Sequence, residues 1–208
     1  MPVEPSAVRI AVFARAPVAG ATKTRLIPAL GAAGAAALQQ QLIERTLATA
    51  CAVPAARVTL WIAGATDHPY MLGIAARFGV DVAEQAGADL GARMHHAFAV
   101  TAAPLVLIGT DCPGLSPDDL AAAATVLAED DVVIQPASDG GYVLIALRGP
   151  QPQLFNSIDW GTSLVLQQTL ARIATLGLRL RLRPTLDDLD TPDDLRRAVA
   201  AGLIAPGP

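Results

Sequence analysis

Three cations fall within the eleven residues from Arg15 to Arg25, directly after an apolar run that reads as a buried strand. The stretch is Arg15-Ala16-Pro17-Val18-Ala19-Gly20-Ala21-Thr22-Lys23-Thr24-Arg25. Small side chains at Ala16 and Pro17, and Gly20, let backbone N–H groups approach an anion. Lys23 and Arg25, with Arg15, can neutralise phosphate oxygens. A P-loop requires Gly immediately before the Lys and another Gly five residues earlier; Thr22 precedes Lys23, which excludes that motif. The plain alternative is an exposed basic loop punctuated by Pro and Gly. Only 15 of 208 residues are Lys or Arg, so this clustering favours an anion site.

Two acidic loops complement the basic one. Thr110-Asp111-Cys112-Pro113 leads into Ser116-Pro117-Asp118-Asp119, and Asp187-Asp188-Leu189-Asp190 leads into Thr191-Pro192-Asp193-Asp194. In each, a hydroxyl residue precedes Pro and an acid stands three residues later, the pattern of a capping box with Pro at the first helical position. Asp118, Asp119, Asp193 and Asp194 are thereby explained as helix-start acids favoured by the dipole. Asp111 and Asp190 are not. Each is expected at a strand end ahead of a cap, and two carboxylates from separate strands can hold one hard cation such as Mg²⁺ (or Mn²⁺), whose other positions go to phosphate and water. Asp188 is a weaker third candidate, and a plain chain-turning role is the alternative for each acid.

The segment Gln85 to Met94 offers Gly87 and Gly91 for close backbone approach by a base or sugar, Asp89 as an N-cap or ligand, and Arg93 as a ligand or a solvated cation. Asp139-Gly140-Gly141-Tyr142 reads as a turn or as part of an acceptor site, and Asp159-Trp160 as a cap with packing or as a further acceptor element. His95 and His96 are adjacent on a helix and point apart, so they form no two-His metal clamp. No Ser/His/Asp triad is evident. Cys112 beside Asp111 gains no thiolate stabilisation.

These residues need a scaffold, and the hydrophobic pattern supplies one. Strands are expected at Val8–Phe13, Arg57–Ala63, Val80–Ala83, Leu105–Ile108, Asp131–Ile134, Tyr142–Leu147 and Leu178–Leu182. Helices are expected at Gly34–Ala50, Pro69–Phe78, Asp89–Ala102, Pro117–Ala128, Ser163–Leu176 and Pro192–Gly202. Alternation of this kind implies an α/β fold, a mostly parallel sheet covered on both faces with one antiparallel strand near Gly140. In such sheets ligands sit beyond the carboxyl ends of the strands, where the loops above fall.

Composition narrows the class. A length of 208 residues suits a single domain, expected to span 1–208. The net charge of −4 argues against general nucleic-acid binding, so any anion site is local. Two cysteines without metal spacing read as reduced thiols of a cytoplasmic protein. Residues 1–6 show no leader pattern, and no uninterrupted apolar run is expected to reach membrane-spanning length.

The blocks Phe13 to Leu26, Gln85 to Met94, Gly109 to Pro113, Asp139 to Tyr142, Asp159-Trp160 and Asp190-Thr191-Pro192 resemble a bacterial family of predicted glycosyltransferases. The family belongs to the nucleotide-diphospho-sugar transferase superfamily, which has the three-layer αβα GT-A fold, and some members are named arsenosugar-biosynthesis glycosyltransferases. Lys23-Thr24-Arg25-Leu26 and the distal Asp190-Thr191-Pro192 are also similar to guanylyltransferases that activate phosphoenolpyruvate or phospholactate, and more distantly to the molybdenum-cofactor guanylyltransferase. The resemblance implies Asp111 and Asp190 as metal ligands and Lys23 and Arg25 as phosphate ligands. The chain departs from classical nucleotidyltransferases in having Arg15-Ala16-Pro17 in place of a Gly-x-Gly start. It departs from the glycosyltransferase Asp-x-Asp signature at Cys112-Pro113.

The expected activity is metal-dependent transfer of a nucleotidyl or glycosyl group from a nucleoside triphosphate or nucleotide-sugar to a small acceptor. Lys23, Arg25 and Asp111 would be catalytic. Arg15, Ala16, Pro17, Gly20, Gly87, Asp89 and Arg93 would line the nucleotide, and Asp139, Gly140, Gly141, Asp159 and Trp160 the acceptor. Expected partners are therefore a nucleotide or nucleotide-sugar and a small-molecule acceptor, with a homodimer left open and neither nucleic acid nor membrane. The alternative is a non-catalytic nucleotide sensor or partner-binding module on the same fold.

Overall fold

The computed structural model describes residues 8–205 except 65 and 102. Residues 1–6, and residue 102 at the expected end of the third helix, lie outside the described residues. The chain runs β1 (Arg9–Arg15), α1 (Ile27–Cys51), β2 (Arg57–Ala63), α2 (Pro69–Phe78), β3 (Asp81–Glu84), α3 (Leu90–Thr101) and β4 (Leu105–Ile108). It continues through α4 (Pro117–Val126), β5 (Val132–Pro136), β6 (Tyr142–Leu147), α5 (Val165–Thr175), β7 (Leu180–Leu182) and α6 (Pro192–Ala200). The strands form one sheet in the order β3-β2-β1-β4-β6-β5-β7. Only β6 runs against its neighbours, pairing antiparallel with both β4 and β5.

Alternation along the central strands builds two cores. Ile10, Val12 and Ala14 of β1 face one way with Val106 and Ile108 of β4, against residues of α1, α2 and α4. Ala11 and Phe13 face the other way with Leu105 and Leu107, against α3 and α5. A third, smaller cluster joins Leu26, Leu38 and Leu42 to Leu189, Ala198 and Ile204, tying the start of α1 to the C-terminal segment. From β1 the chain crosses to β2 on one side, whereas β4 lies on the other. The crevice between β1 and β4 is therefore a topological switch point, the place where open α/β sheets bind ligands.

Three arginines guard the β7 edge. Arg179 and Arg181 pair with Asp131 and Asp130, and Arg183 pairs with Asp119 at 2.9 Å. Beyond β7 the chain continues alongside β5, with Ala137 bridged in parallel to Leu186. That extension carries Asp187, Asp188 and Asp190 toward the carboxyl end of the sheet.

Helix α1 differs from expectation. It begins at Ile27, with Pro28 in its first turn, and is interrupted at Gly31, whose φ of 70° and ψ of 167° are not helical. Proline suits a first turn and glycine suits the break, which is why the segment reads as turn-rich in sequence. The segment Thr24–Cys51 is also long and apolar enough to span a membrane by length and composition, contrary to expectation. Its inward face, including Leu38, Leu42, Ile43 and Leu47, is buried in the cores just described, so that part of its apolarity serves the core.

Gly140 shows how tightly the β5–β6 connection packs. Its φ is +91°, and a Cβ there would lie 2.3 Å from the backbone oxygen of Ser163, while Gly109 has open space at the same position. Gly140→Ala is expected to lower stability by on the order of 2 kcal/mol or more, and Gly109→Ala to change it by roughly 0.5 kcal/mol or less. Urea midpoints of the two variants check this; equal midpoints would contradict the packing described.

Candidate active site

A cleft of about 740 Å³ opens at the carboxyl ends of β1 and β4. Its floor is built from three segments brought together by backbone contacts. The basic loop bends sharply, Lys23 adopting a left-handed conformation with φ of 46° that a side-chain-bearing residue rarely takes. Asp111 follows β4. Leu189 then links the third segment to both: its N–H donates to the Asp111 carbonyl at 2.7 Å, and its own carbonyl accepts from the Lys23 ammonium.

The two expected acids therefore converge. Lys23 Nζ lies 2.9 Å from Asp111 Oδ1 and 3.4 Å from Asp190 Oδ1, with its side chain only 4% exposed. Arg25 donates from Nη1 to the other oxygen of Asp190 at 2.8 Å. Capping boxes form at both helix starts: Ser116 Oγ accepts from the Asp119 N–H, and Thr191 Oγ1 from the Asp194 N–H. Asp119 and Asp194 thus serve the helices and leave Asp111 and Asp190 to the cleft.

The remaining candidates divide. Arg15, Asp89, Arg93, Asp139, Gly141 and Trp160 line the cleft. Asp89 Oδ1 also accepts from the Ala92 N–H, capping α3, and Arg93 Nε donates to the Gly87 carbonyl. Ala16, Pro17, Gly20, Gly87, Gly140 and Asp159 are not brought to the cleft wall. Asp159 accepts from Gln168 Nε2 at 2.7 Å, which braces the loop that presents Trp160. Gly91 makes room for Trp160: a Cβ there would lie 2.6 Å from the indole ring.

Four buried polar side chains that sequence reasoning did not select also line this cleft: Thr22, Gln39, Gln85 and Thr110. Gln39 Nε2 donates to Thr110 Oγ1 at 3.3 Å, and Gln85 Nε2 donates to the Ala14 and Trp61 carbonyls at 3.2 and 2.8 Å. Gln39 had a signal in sequence, since it interrupts the apolar stripe Ala35, Leu38, Leu42, Ile43 and Leu47 that faces the core.

Electrostatics separate the acids further. Burial pushes the Asp188 carboxyl up to about 6, and the nearby carboxylates of Asp139, Asp190 and Asp194 add to the rise. Burial likewise pushes the Cys112 thiol up to about 11, so it is protonated at neutral pH and is no nucleophile. Among the described residues no group of three or more His, Cys, Asp or Glu side chains is arranged to hold a metal. The pair Asp111 and Asp190 nevertheless closes on one cation, the Lys23 ammonium, and two carboxylates with phosphate and water are what a small hard ion takes. The donor set fits a divalent ion shared with a phosphate.

A bacterial family described as "Uncharacterized protein conserved in bacteria (DUF2064)" matches residues 46–162. Among solved structures, the chain is similar to a candidate nucleotide-diphospho-sugar transferase from Desulfovibrio desulfuricans G20. The two share 31% identity and a TM-score of 0.83, over 92% of this chain and 85% of that one. A cytidylyltransferase from Leptospira borgpetersenii is similar at 14% identity and a TM-score of 0.59, over 94% and 87% of the two chains. Glucosyl-3-phosphoglycerate synthase from Mycobacterium tuberculosis, in complex with Mn²⁺, UDP and glucosyl-3-phosphoglycerate, is similar at 13% identity and a TM-score of 0.59, over 95% and 77%. These last two share the fold. No curated protein matches the chain.

The raised Asp188 carboxyl gives stability a signed pH dependence. Its folded pKa of about 6 lies above the ordinary 3.8, so the folded state holds a proton that the unfolded state releases between those values. The contribution is present below the ordinary pKa and is lost as pH rises through about 6. Asp188→Asn is expected to gain stability relative to wild type as pH goes from about 4 to 7. Thermal melts of both proteins across that range check it, and a constant difference would show that burial and the neighbouring carboxylates do not raise Asp188.

Proposed function

The chain belongs to the bacterial DUF2064 family, within the nucleotide-diphospho-sugar transferase superfamily, and on that footing we propose that it is a transferase acting on a nucleoside triphosphate or nucleotide-sugar with help from a divalent metal. The observation that carries this reading is the meeting of Lys23, Asp111 and Asp190 at the switch point of the sheet, on the floor of a cleft large enough for a nucleotide.

Each residue has a task that follows from its place. Lys23 and Arg25 stand together on one side of the floor and take the negative charge of the departing phosphates. Asp111 and Asp190 would hold Mg²⁺ or Mn²⁺. A bound divalent ion would offset phosphate charge and polarise the bond under attack. Asp89, Arg93, Asp139, Gly141 and Trp160 line the same cleft, with Trp160 packed on Gly91 between Asp89 and Arg93. The first two would meet the nucleotide, and Asp139, Gly141 and Trp160 a small acceptor. Positioning and electrostatic stabilisation of a charged leaving group suffice for such a transfer, without a covalent intermediate. The paired cations and the absence of a second acid beside Asp111 favour a triphosphate over a nucleotide-sugar as donor.

Thermal-shift measurements with nucleoside triphosphates and nucleotide-sugars, with and without Mg²⁺ or Mn²⁺, test the reading. A ligand at a hundred times its dissociation constant is expected to add about 2.7 kcal/mol of stability. Asp111→Asn and Asp190→Asn are each expected to lose the metal-dependent part of that gain. Pyrophosphate release with a suitable acceptor would separate an enzyme from a sensor. A metal response in both variants equal to that of wild type would remove these acids from the site.

A further inference from the structure

We propose that Lys23 is a resident cation in the divalent-ion site: in the nucleotide-free protein its ammonium fills the space between Asp111 and Asp190, and a divalent ion enters only as a phosphate draws Lys23 away. This rests on the metal-assisted reading above and adds an order of events to it.

The ammonium is held by oxygens alone. It touches one carboxylate oxygen each from Asp111 and Asp190 and the backbone carbonyl of Leu189, an all-oxygen set of the kind a hard cation takes. The side chain is buried by the cleft floor, and the left-handed backbone at Lys23 directs it inward. The ammonium occupies the place of the ion. Lys23 and Arg25 offset the charges of Asp111 and Asp190, with Arg25 on the second oxygen of Asp190, while Asp139 and Asp188 add negative charge to the same cleft. A divalent ion approaching Asp111 and Asp190 therefore meets an ammonium at close range and loses much of their attraction.

A polyphosphate changes the balance. Its oxygens compete with the carboxylates for Lys23 and Arg25, and when the cations move to the phosphate the two acids are left with uncompensated charge. The same oxygens supply the remaining positions of a divalent ion. Metal and polyphosphate therefore bind with positive coupling, each favouring the other. Arg25 is exposed and can leave Asp190 readily, whereas Lys23 is buried, so Lys23 is the residue that sets the order.

The test is Mn²⁺ binding, read by electron paramagnetic resonance, in wild type, Lys23→Met, Lys23→Gln and Arg25→Met, with thermal melts of each. Removing Lys23 is expected to tighten Mn²⁺ binding without nucleotide by about tenfold or more. Mn²⁺ should also restore thermal stability that the Lys23 variants lose when their acids are left facing each other. Arg25→Met removes the same charge from a solvent-exposed place and is expected to change Mn²⁺ affinity several-fold less. Equal gains in the Arg25 and Lys23 variants would reduce the effect to general electrostatics and overturn the proposal. So would Mn²⁺ affinity in both Lys23 variants no tighter than in wild type; if wild type itself binds Mn²⁺ well, the transferase reading survives that result. No Mn²⁺ uptake by any of the four proteins, with inorganic pyrophosphate present, would remove the metal and this inference together.

Discussion

The peptide unit of Leu189 is the joint on which the cleft depends. Its N–H is bonded to the backbone of Asp111 and its carbonyl to the ammonium of Lys23, while its side chain is buried with Leu26 and Leu42. One residue thus fixes the distance between three segments that are far apart in sequence. Lys23 precedes Leu26 by three positions, Asp190 follows Leu189 directly, and Asp111 lies at the end of β4. Apolar burial of Leu26 and Leu189 stabilises the placement of the charges beside them. The charged groups do not hold the floor together by themselves, since burying ions is costly unless the geometry is already set.

The cleft floor also gathers polar groups that would be unfavourable elsewhere in the core. Thr22, Gln39, Gln85 and Thr110 are buried there with hydrogen-bond partners or an open face toward the cavity, against an interior that is otherwise mostly apolar. Such groups are oriented before any ligand arrives. Preorganised dipoles in a partly desolvated site act on developing charge without the reorganisation that water would need.

Much of this was legible in sequence because it rests on local rules. The capping boxes at Ser116 and Thr191 separated helix-start acids from Asp111 and Asp190, and the four consecutive apolar residues of β4 marked a central strand buried on both faces. Strand ends gave the cleft its address. The ion pair between Lys23 and both acids was not legible, because it depends on how the chain after β7 lies along β5, a nonlocal pairing with no periodic signature. The start of α1 was missed for a different reason: Pro28 and Gly31 are turn residues by propensity, and burial of Leu26 and Leu38 overrides that preference. For Asp159 and Gly140 the sequence leaves a structural role and an acceptor role open, because their neighbours Gln168 and Ser163 stand 9 and 23 positions further along the chain with no local signature.

The arginine pairs along β7 reach further than the sheet edge they protect. Side chains alternate along an extended segment, so a shift of one residue would turn Asp190 away from the cleft and bring Leu189 toward it. Arg179, Arg181 and Arg183, locked to Asp131, Asp130 and Asp119, resist that shift. The first two pairs are largely solvent-facing and weaken as mobile ions accumulate, whereas the third is more enclosed. Rising salt therefore loosens the outer two clasps of this edge before the Arg183 pair, while the backbone bonds of Arg183 and Leu186 to β5 keep the segment in line.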